Sequence, residues 1–551
     1  MKRISPRYLL PVLGAVAILV SGFLVIDSVY LKVNQNIDIF GRVYKEIVSN
    51  YVDEVDPEKF MRSGIDGMLE TLDPYTVYMA GKEEDDIDLL THGQYGGVGI
   101  TIGVRDGAIT VLAPTEGYSA FKQGVKTGDR IIEVDGFRIT GTNPDSVRFR
   151  VRGEPGTTVR MKVEREGEKN PIEFTLVREE IQVNNVSYSG FLRDGVGYIR
   201  LERFSRRAGE EVRQAVKELQ AKGEVKGIIL DLRDNPGGLL EAAVETVSKF
   251  AKKGSTIVST RGRRDDETKV YTVSEEPVAA NIPLAVLVNR NSASASEIVA
   301  GAMQDLDRGI IVGTRSFGKG LVQTVIPLSY NASVKITTAR YYTPSGRCIQ
   351  EIDYLHKNKD GVFATTPDSL KREFRTLNGR PVKELGGITP DSLAEDLSRS
   401  SYYGDLMRKA MFFKFATTYI VSHPTFEGEF TADASVMSQF EKFLADQKFE
   451  YTDPAEKKLT ELKEQMKKEK FASATISSLD AAIGQVRAEK VNTFARYSDE
   501  IRNELTDEIN SRYHGERGRD RSALSHDPQA QLAATLLLNK KVYDGLLKAK
   551  K

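Results

Sequence analysis

The sequence predicts an α+β chain of several domains, and three patterns of apolar residues support this fold class. Residues 93–177 consist of short alternating runs separated by Gly, Pro and Asp, which is typical of a small, mostly-β domain. Residues 227–305 contain apolar runs that lead through polar turns into helices, the pattern of an α/β core. Residues 37–90 and 393–551 repeat apolar residues at helical spacing, so helical regions are expected on both sides.

Length and charge bound the class of protein. The chain has 551 residues, more than one ordinary domain, and 78 Lys and Arg balance 78 Asp and Glu. A net charge of zero disfavours nucleic acid as a partner, and the short basic stretch at 515–521 alternates in sign, so a solvated loop is expected there. The single cysteine, Cys348, permits no intramolecular disulfide, which neither supports nor excludes an oxidising compartment.

The N-terminus has the pattern of a signal sequence or a membrane anchor over residues 1–27. Basic residues among the first seven precede an almost uncharged apolar run at 8–26. This run is long for a signal core, it approaches the length that spans a bilayer, and residues 20–22 form a mediocre cleavage site, which favours an uncleaved anchor. The rest of the chain is therefore expected in the cell envelope, on the periplasmic side of the cytoplasmic membrane.

A serine stands at a predicted strand-to-helix turn. The apolar run 284–288 predicts a buried strand and residues 294–305 predict a helix, so Ser294 lies at the mouth of that helix. A hydroxyl there is close to backbone N–H groups and to the positive helix end, where an acyl-transfer oxyanion is stabilised. Ser294 and Glu297 also satisfy the capping-box pattern, so a plain helix cap is the alternative that these residues leave open.

A lysine is the natural base for that serine. Lys319 lies between Gly318 and Gly320, in a loop between two predicted strands, and it can act as a base only if burial lowers its pKa from about 10.4. None of the five histidines lies between residues 93 and 355, which disfavours a Ser-His-Asp site. The chain has no HExxH motif or paired-histidine spacing, so the sequence gives little support for a metal hydrolase.

Four motifs in order resemble those of the carboxy-terminal processing peptidases, also called tail-specific proteases. They are SASASEIVAGAMQD (292–305), GTRSFGKGLVQ (313–323), TTARYYTPSGRCIQ (337–350) and GGITPD (386–391). The resemblance runs from about residue 38 to residue 391, and it implies a serine peptidase core of the ClpP- or crotonase-like type with no metal or cofactor. It puts the nucleophile at Ser294, the base at Lys319 and the glutamine that orients the lysine at Gln323.

The segment Gly227–Leu240 has the pattern of a strand, a turn with paired glycines and a helix. On these residues alone, a tight turn explains the glycines. The resembled family uses this turn as an oxyanion-hole donor, which implies Gly237 or Gly238 together with the N–H of Ala295, and the choice between the two glycines stays open. The charged residues of the turn are interpreted as structural: Asp231, Arg233 and Asp234.

Residues 93–178 resemble a PDZ domain, through the segments GQYGGVGITIGV and GVKTGDRIIEVDG. The resemblance assigns the binding of a peptide's terminal carboxylate to the following loop residues: Gly97, Val98, Gly99 and Ile100. The next strand would then pair with the peptide as an added strand. The alternative is that these glycines only turn the chain. The resemblance also implies that the module gates activity through Arg152, against the alternative of a solvated arginine.

These observations predict a serine-type endopeptidase with a Ser-Lys dyad that cleaves proteins near their C-terminal tails. The expected partners are protein substrates with apolar or disordered tails. Two rivals are a non-catalytic PDZ scaffold that binds protein C-termini and a Ser-Lys amidase that acts on small amides or cell-wall peptides. After the N-terminal segment, the predicted domains are a helical region (28–92), the PDZ domain (93–178), the catalytic core (179–391) and a C-terminal helical extension (392–551).

The two helical regions have open purposes. The resemblance implies that the first packs against another copy, as a homodimer, and the alternative is a brace within its own chain. Residues 455–490 favour ordinary amphipathic helices over a coiled coil, because their apolar positions hold no clean heptad. The C-terminal extension is expected to restrict substrate access, mediate assembly or bind an adaptor.

Overall fold

A computed structural model of the chain describes residues 30–80, 93–357, 363–395 and 399–549. Two compact units are distinguished among these residues: 30–80 with 324–337, and 93–323 with the described residues from 338 onward. The apolar run at 8–26 lies outside the described residues. Among the helices that are described, none combines the length and the apolar character needed to cross a bilayer.

The smaller unit combines helices with a short piece of β-sheet. Its elements at the N-terminal side are α1 (30–50), α2 (Pro57–Leu69) and β1 (Val77–Ala80). The ring of Tyr44 stacks on that of Phe60, with 5.9 Å between the ring centres. β1 pairs antiparallel with residues 332–335, which belong to the tip of a later hairpin. The side chain of Asp56 caps α2 by accepting two backbone N–H bonds.

Residues 93–182 form a small β module with its own core. Its strands form one antiparallel sheet in the order β3-β4-β5-β7-β8, with β6 against β5, while β2 pairs with β9. Burial alternates along β7, so Val159, Met161 and Val163 face the core. β3 lies at the edge of this sheet. The elements are β2 (Gln94–Gly97), β3 (Ile100–Arg105), β4 (Ala108–Pro114), α3 (Ser119–Lys122), β5 (Arg130–Val134), β6 (Phe137–Arg138), α4 (Asp145–Val151), β7 (Thr158–Glu164), β8 (Ile172–Val177) and β9 (Glu179–Gln182).

The central domain is built on a six-stranded sheet in the order β10-β11-β12-β15-β16-β23. β10 is antiparallel to β11 and the other neighbours are parallel. The elements to the end of this sheet are β10 (Val186–Arg193), β11 (Val196–Leu201), α5 (Ala208–Lys222), β12 (Gly227–Asp231), α6 (Leu240–Ser248), β13 (Thr256–Gly262), a 3₁₀ turn (Asp265–Glu267), β14 (Lys269–Thr272), β15 (Leu284–Val288), α7 (Ala295–Asp305), β16 (Ile310–Gly313), β17 (Leu321–Leu328), β18 (Ala332–Tyr342), β19 (Ile352–Lys357), β20 (Phe363–Thr365), β21 (Glu373–Arg375), β22 (Pro381–Lys383) and β23 (Ser392–Leu393).

Both faces of the six-stranded sheet are covered, which explains why its middle strands are apolar throughout. β12 and β15 are buried at every position. Helices α5, α6 and α7 cover one face with side chains such as Val212, Val247 and Val299. The opposite face is covered by α15 (Pro528–Leu538) and α16 (Lys540–Leu546), far along the chain. These last helices are therefore part of the central domain.

The other C-terminal helices include five that share a second, aromatic core, whereas the two between residues 454 and 490 contribute no residue to it. Phe412, Phe415 and Phe440 lie at its centre, together with Leu505 and Ile509. The helices are α8 (Ser401–Arg408), α9 (Met411–Ser422), α10 (Ala434–Asp446), α11 (Pro454–Lys468), α12 (Ser473–Lys490), α13 (Thr493–Arg496) and α14 (Ser498–Ser525). Residues 455–490 thus fall in two helices, α11 and α12, joined by ion pairs such as Arg487 to Glu456 at 2.7 Å.

The stretch 515–521 corrects one prediction. A solvated loop was expected there, but these residues lie in α14, where only Gly515 leaves the helical conformation (φ 64°, ψ −167°). Arg519 forms ion pairs with Glu504 and Glu508 on the preceding part of the same helix. The prediction was wrong because Arg519 and Arg521 pair with acidic residues outside the stretch, which its own alternating signs do not show.

Candidate active site

Ser294 adopts a conformation that an ordinary helix cap does not. β15 ends at Val288 and α7 begins at Ala295, so the residues between them must reverse the chain within a short turn. The φ and ψ of Ser294 are 56° and −112°, whereas an N-cap residue normally has an extended backbone. A positive φ is strained in a residue with a side chain, and such strain concentrates at functional sites. The conformation therefore favours a role for Ser294 beyond capping.

The paired glycines lie directly against this turn. A Cβ atom on Gly237 would be 2.8 Å from the carbonyl oxygen of Ala293 and 2.9 Å from the Cβ of Ser294. A Cβ atom on Gly238 would be 2.3 Å from the carbonyl oxygen of Phe204. Both positions also have a positive φ, of 105° and 145°, so glycine is required at each.

Hydrogen bonds distinguish the two glycines. The N–H of Gly237 donates to Oδ1 of Asn235 at 2.9 Å. The N–H of Phe204 donates to the Gly237 carbonyl and the N–H of Leu239 donates to the Phe204 carbonyl, so the N–H of Gly238 points away from this bridge. Within the described residues, the N–H of Gly238 has no acceptor. The N–H of Ala295, at the first position of α7, has none either, as helix geometry dictates.

Glu297 joins the serine turn to the loop that carries Lys319. Its side chain is fully buried, on the first turn of α7. Oε2 accepts the backbone N–H of Ser294 and that of Lys319, both at 2.9 Å. Oε1 accepts the N–H of Gly318 at 2.7 Å and the hydroxyl of Ser316 at 2.5 Å. One carboxylate therefore fixes the backbone of both predicted catalytic residues.

The pKa of Glu297 lies above that of an ordinary glutamate. Burial raises its pKa to about 7, and the four donors around it oppose that rise. An ionised carboxylate only accepts hydrogen bonds, which matches the four donors, whereas a protonated one must place its own hydrogen among them. These four hydrogen bonds therefore offset part of the cost of burying the charged form.

Tyr341 spans the same two segments from the other side. Its hydroxyl lies 2.6 Å from the carbonyl oxygen of Lys319 and 3.1 Å from that of Ser294. Burial, together with the negative charge of Glu297, raises the pKa of Tyr341 well above its usual value, so the phenol keeps its proton and donates. Gln323 is half-buried on β17, which begins two residues after Lys319.

Sequence reasoning missed the bridging roles of Glu297 and Tyr341. The capping-box pattern explains the bond between Glu297 and the N–H of Ser294, but not the three other bonds to residues 316–319. Both residues lie inside the quoted motifs, SASASE and TTARYY. Their place in those motifs was the available signal, whereas spacing along the chain contained none.

The loop that leads to the glycines is fixed to the serine turn by side chains. Oδ1 of Asp234 accepts the amide groups of Asn289 at 3.0 Å and Asn291 at 2.8 Å. The carbonyl of Asn235 accepts the N–H of Ala293 at 3.1 Å and the hydroxyl of Ser296 at 2.9 Å. The two loops therefore form one hydrogen-bonded assembly beneath Ser294.

The predicted carboxylate-binding loop of the small β module begins at Gly97, the end of β2, and leads into Ile100, the first residue of the edge strand β3. The carbonyl of Val98 accepts the N–H of Ala120 at 3.0 Å, and that of Gly99 accepts the N–H of Thr115 at 2.8 Å. In the part of the chain that is described, the N–H groups of Val98 and Gly99 have no acceptor. A loop with engaged carbonyls and open N–H groups suits an anion such as a carboxylate.

Arg152, the predicted communicator, follows α4 in the same module. Its guanidinium lies over the ring of Tyr95 on β2, 4.7 Å from the ring centre. This contact ties the end of α4 to the strand that enters the carboxylate-binding loop. The gating role of Arg152 stays a prediction.

Comparison with known families first defines the class of protein. Residues 195–356 match peptidase family S41, and residues 96–176 match the PDZ domain. Residues 403–537 match a probable PDZ-protease C-terminal helical domain, and residues 27–83 match the N-terminal domain of the activating protease CtpB. The chain is therefore a serine-type peptidase with a PDZ domain, as the sequence predicted.

Similar proteins then define the family. The carboxy-terminal-processing protease of Bartonella bacilliformis is 40% identical over 316 residues, which cover 57% of this chain and 72% of that protein. The carboxy-terminal processing protease CtpB of Bacillus subtilis is 33% identical over 386 residues, covering 68% and 79%. A carboxyl-terminal-processing protease of Synechocystis is 38% identical over 299 residues, covering 53% and 69%. The chain belongs to the carboxy-terminal processing proteases, which confirms the predicted resemblance and fold class.

Proposed function

We propose that this chain is a Ser-Lys endopeptidase of the cell envelope, which binds protein C-terminal tails in its PDZ domain and cleaves those proteins. The observation that carries the proposal is the double attachment of Glu297, because one buried carboxylate holds the backbones of Ser294 and Lys319. The names of the relatives, which are carboxy-terminal processing proteases, support the class of substrate.

In this proposal Ser294 is the nucleophile and Lys319 is the base. The neutral amine of Lys319 takes the hydroxyl proton while Oγ attacks the carbonyl carbon of the scissile peptide. The N–H groups of Gly238 and Ala295 bind the oxygen on which negative charge develops, and their lack of other acceptors supports this role. Gln323 orients the amine of Lys319.

The second half of the reaction uses the same groups. The ammonium of Lys319 gives its proton to the leaving nitrogen as the C–N bond breaks, which leaves an ester on Ser294. Lys319 then takes a proton from water as the water oxygen attacks this ester. The acid product leaves when its bond to Oγ of Ser294 breaks, and Oγ regains a proton from Lys319. No step requires a metal or a cofactor.

The PDZ domain supplies the substrate in this proposal. The loop from Gly97 to Ile100 binds the terminal carboxylate, which the open N–H groups of Val98 and Gly99 support. The unpaired edge of β3 adds the tail as a further strand, so main-chain bonds provide affinity for many sequences. A tethered tail raises the effective concentration of the bound protein near Ser294.

The test is mass spectrometry of a disordered protein with an apolar free C-terminus after incubation with the full chain. We expect cleavage by the parent and by the exposed-lysine control Lys253→Ala, and none by Ser294→Ala or Lys319→Ala. Both inactive variants should keep the parent's thermal midpoint, because neither substitution removes the backbone bonds to Glu297. Turnover by either variant would contradict the assignment.

The same substrate with a C-terminal amide separates the rivals. A tail-reading protease requires the free carboxylate and should cleave the amidated protein poorly. Equal cleavage of both forms, or cleavage of small amides alone, would favour the Ser-Lys amidase. Binding of the free tail without any cleavage by the parent would favour the non-catalytic PDZ scaffold.

The proposed location rests on the N-terminal segment. Basic residues before the apolar run at 8–26 support an anchor in the cytoplasmic membrane with the peptidase on the periplasmic side. Fractionation of cells that produce the full chain, beside a chain that begins at Asp27, tests this. The full chain should enter the membrane fraction and only the shorter chain should be soluble.

A second copy of the chain is a further proposed partner. Ile37, Phe40 and Val43 on α1 are 64%, 47% and 52% exposed and follow helical spacing, which supports packing against another surface. Light scattering should give the mass of a dimer for the parent and of a monomer for Phe40→Asp. A monomeric parent would leave the brace as the interpretation of this region.

A further inference from the structure

The start of α15 reaches the loop that carries the paired glycines. Oδ2 of Asp527 accepts Nη2 of Arg233 at 2.5 Å, and Oδ1 accepts Nη1 at 3.2 Å. Oε1 of Gln529 accepts Nη1 of Arg233 at 2.9 Å. Arg233 follows β12 and precedes Gly237 by four residues. A segment near residue 530 is therefore bonded to a loop of the active site.

Every N–H of the Arg233 guanidinium has an acceptor. Nε donates to both oxygens of Asp231 at 3.0 Å, and Nη2 donates to Oδ2 of Asp231 at 2.6 Å as well as to Asp527. Asp231 also accepts the backbone N–H of Arg233 at 2.8 Å and the hydroxyl of Tyr198 at 2.5 Å. Asp231 alone cannot accept all five guanidinium protons, so Asp527 and Gln529 complete the set.

These bonds are costly to lose because the side chains that form them are largely buried. The side chain of Arg233 is 16% exposed, that of Asp231 is 2% exposed and that of Asp527 is 19% exposed. A buried guanidinium that loses an anionic partner keeps its charge and its unmatched donors, so the loop around it must shift to recover hydrogen bonds. The next residues, Asp234 and Asn235, are those that hold the turn of Ser294.

The carboxylate of Asp527 has two tasks, and its Oδ1 contributes to both, because it also accepts Nη1 of Arg233 at 3.2 Å. Oδ1 caps α15 by accepting the N–H groups of Gln529 and Ala530, both at 3.0 Å. Oδ2 is directed to Arg233. A serine at this position would still cap the helix, because serine and aspartate are comparable N-caps, but it could not match the guanidinium. The chain therefore offers a substitution that separates the two tasks.

We propose that Asp527 and Gln529 are positioning residues of the peptidase site. They hold Arg233, and through the loop from Arg233 to Gly238 they set the place of the Gly238 N–H beside Ser294. This inference rests on the proposed function for its effect on catalysis. It assigns the start of α15 to the active site, in addition to its place in the core of the sheet.

The experiment compares Asp527→Ser with Asp433→Ser in the full chain. Asp433 caps α10 by accepting the N–H of Val436 at 2.9 Å, so the control makes the same chemical change at another helix start. We expect Asp527→Ser to lower kcat on a tail-bearing peptide about 10-fold to 100-fold, since small displacements of catalytic groups have effects of this size. KM and the thermal midpoint should match those of Asp433→Ser, which should keep the parent's kcat.

Hydrogen exchange provides a readout that does not depend on turnover. Amides of residues 232–239 should exchange faster in Asp527→Ser than in the parent, and at the parent's rate in Asp433→Ser. If the parent cleaves nothing, the proposed function fails while the exchange rates still decide whether Asp527 positions the loop. Parent-like exchange in Asp527→Ser would overturn the inference, as would an equal loss of kcat in the control.

Discussion

The serine turn and the predicted carboxylate-binding loop of the PDZ domain are alike in one respect and opposite in another. Each includes backbone N–H groups, that of Ala295 in the first and those of Val98 and Gly99 in the second, that have no acceptor among the described residues. The serine turn is held on all sides by buried groups of Glu297, Tyr341 and Asn235. The PDZ loop leads into the open edge of β3. Peptide-bond chemistry requires fixed atoms, whereas a reader of many tails requires an unpaired strand.

Among substitutions near the serine turn, we expect one at Gly237 to have the largest effect on turnover. In Gly237→Ala the new Cβ would meet Ala293 and Ser294 at less than 3 Å, on a backbone with φ of 105°. We expect kcat to fall about 1000-fold, because the new Cβ displaces both Ser294 and the proposed oxyanion donors. Steady-state kinetics on a tail-bearing peptide measures this.

Gly254→Ala is the matched control for Gly237→Ala. Gly254 also has a positive φ, of 84°, but an added Cβ meets nothing within 4 Å. It therefore carries the backbone strain without the collision, and kcat should stay at the parent's value. Equal losses in both variants would mean that strain, and not contact with Ser294, limits the enzyme.

The pH dependence of stability tests the environment of Glu297, which holds the serine turn. The pKa is raised from 4.5 to about 7, so between these pH values the folded chain holds a proton that the unfolded chain has lost. The contribution of Glu297 to the unfolding free energy is then greatest below pH 4.5 and declines as the pH rises to 7. We expect the difference between the parent and Glu297→Gln to shrink over this range by at most about 3 kcal/mol.

Urea unfolding of both chains across that pH range provides the measurement. Glu297→Gln has no carboxyl group to titrate, so it removes the pH dependence of this site and leaves that of all other groups. A difference that is constant with pH would show that Glu297 has an ordinary pKa in the folded chain.

A substitution at Gly99 tests the role of the PDZ loop in peptide binding. A Cβ there would be 2.6 Å from Cβ of Tyr118, with φ of 77°, so Gly99→Ala should displace the loop. We expect the Kd for a free C-terminal peptide to rise about tenfold, as for the loss of one or two hydrogen bonds to a charged group, with kcat at saturation unchanged. Fluorescence anisotropy with a labelled peptide measures the Kd.

Gly107→Ala is the control in the same domain. Gly107 has φ of 71° at the turn between β3 and β4, where an added Cβ meets nothing within 4 Å. Peptide affinity should be unchanged. A similar loss in both variants would point to weakened folding of the PDZ domain and not to a displaced loop.

The sequence predicted the fold class and the strand-to-helix turn at Ser294 because both depend on local patterns. The alternation at 93–177 and the apolar strands before glycine and serine turns are visible in one dimension. The sequence left open which of Gly237 and Gly238 is the expected oxyanion donor, since two adjacent glycines look alike. The side chain of Asn235 distinguishes them, because it occupies the N–H of only Gly237.

Long-range partners were beyond prediction for a physical reason. Asp231 and Arg233 predict a charge cluster at a turn, and their spacing contains nothing about Asp527, almost 300 residues later. Helix α15 contains Ala533, Ala534 and Leu537, which are apolar enough to pack on any surface. Only the three-dimensional arrangement selects the second face of the sheet, because apolar burial is not directional.

The covering of that sheet has a consequence for how the protease is made. Ile229, Ala285 and Leu287 are synthesised long before the helices of residues 528–546 that bury them. While the chain emerges, one face of its central sheet therefore has no partner, and the peptidase domain can be completed only after synthesis has passed residue 546. A nascent chain that stops short of these helices thus carries Ser294 without a finished domain, which delays proteolytic activity until they are made.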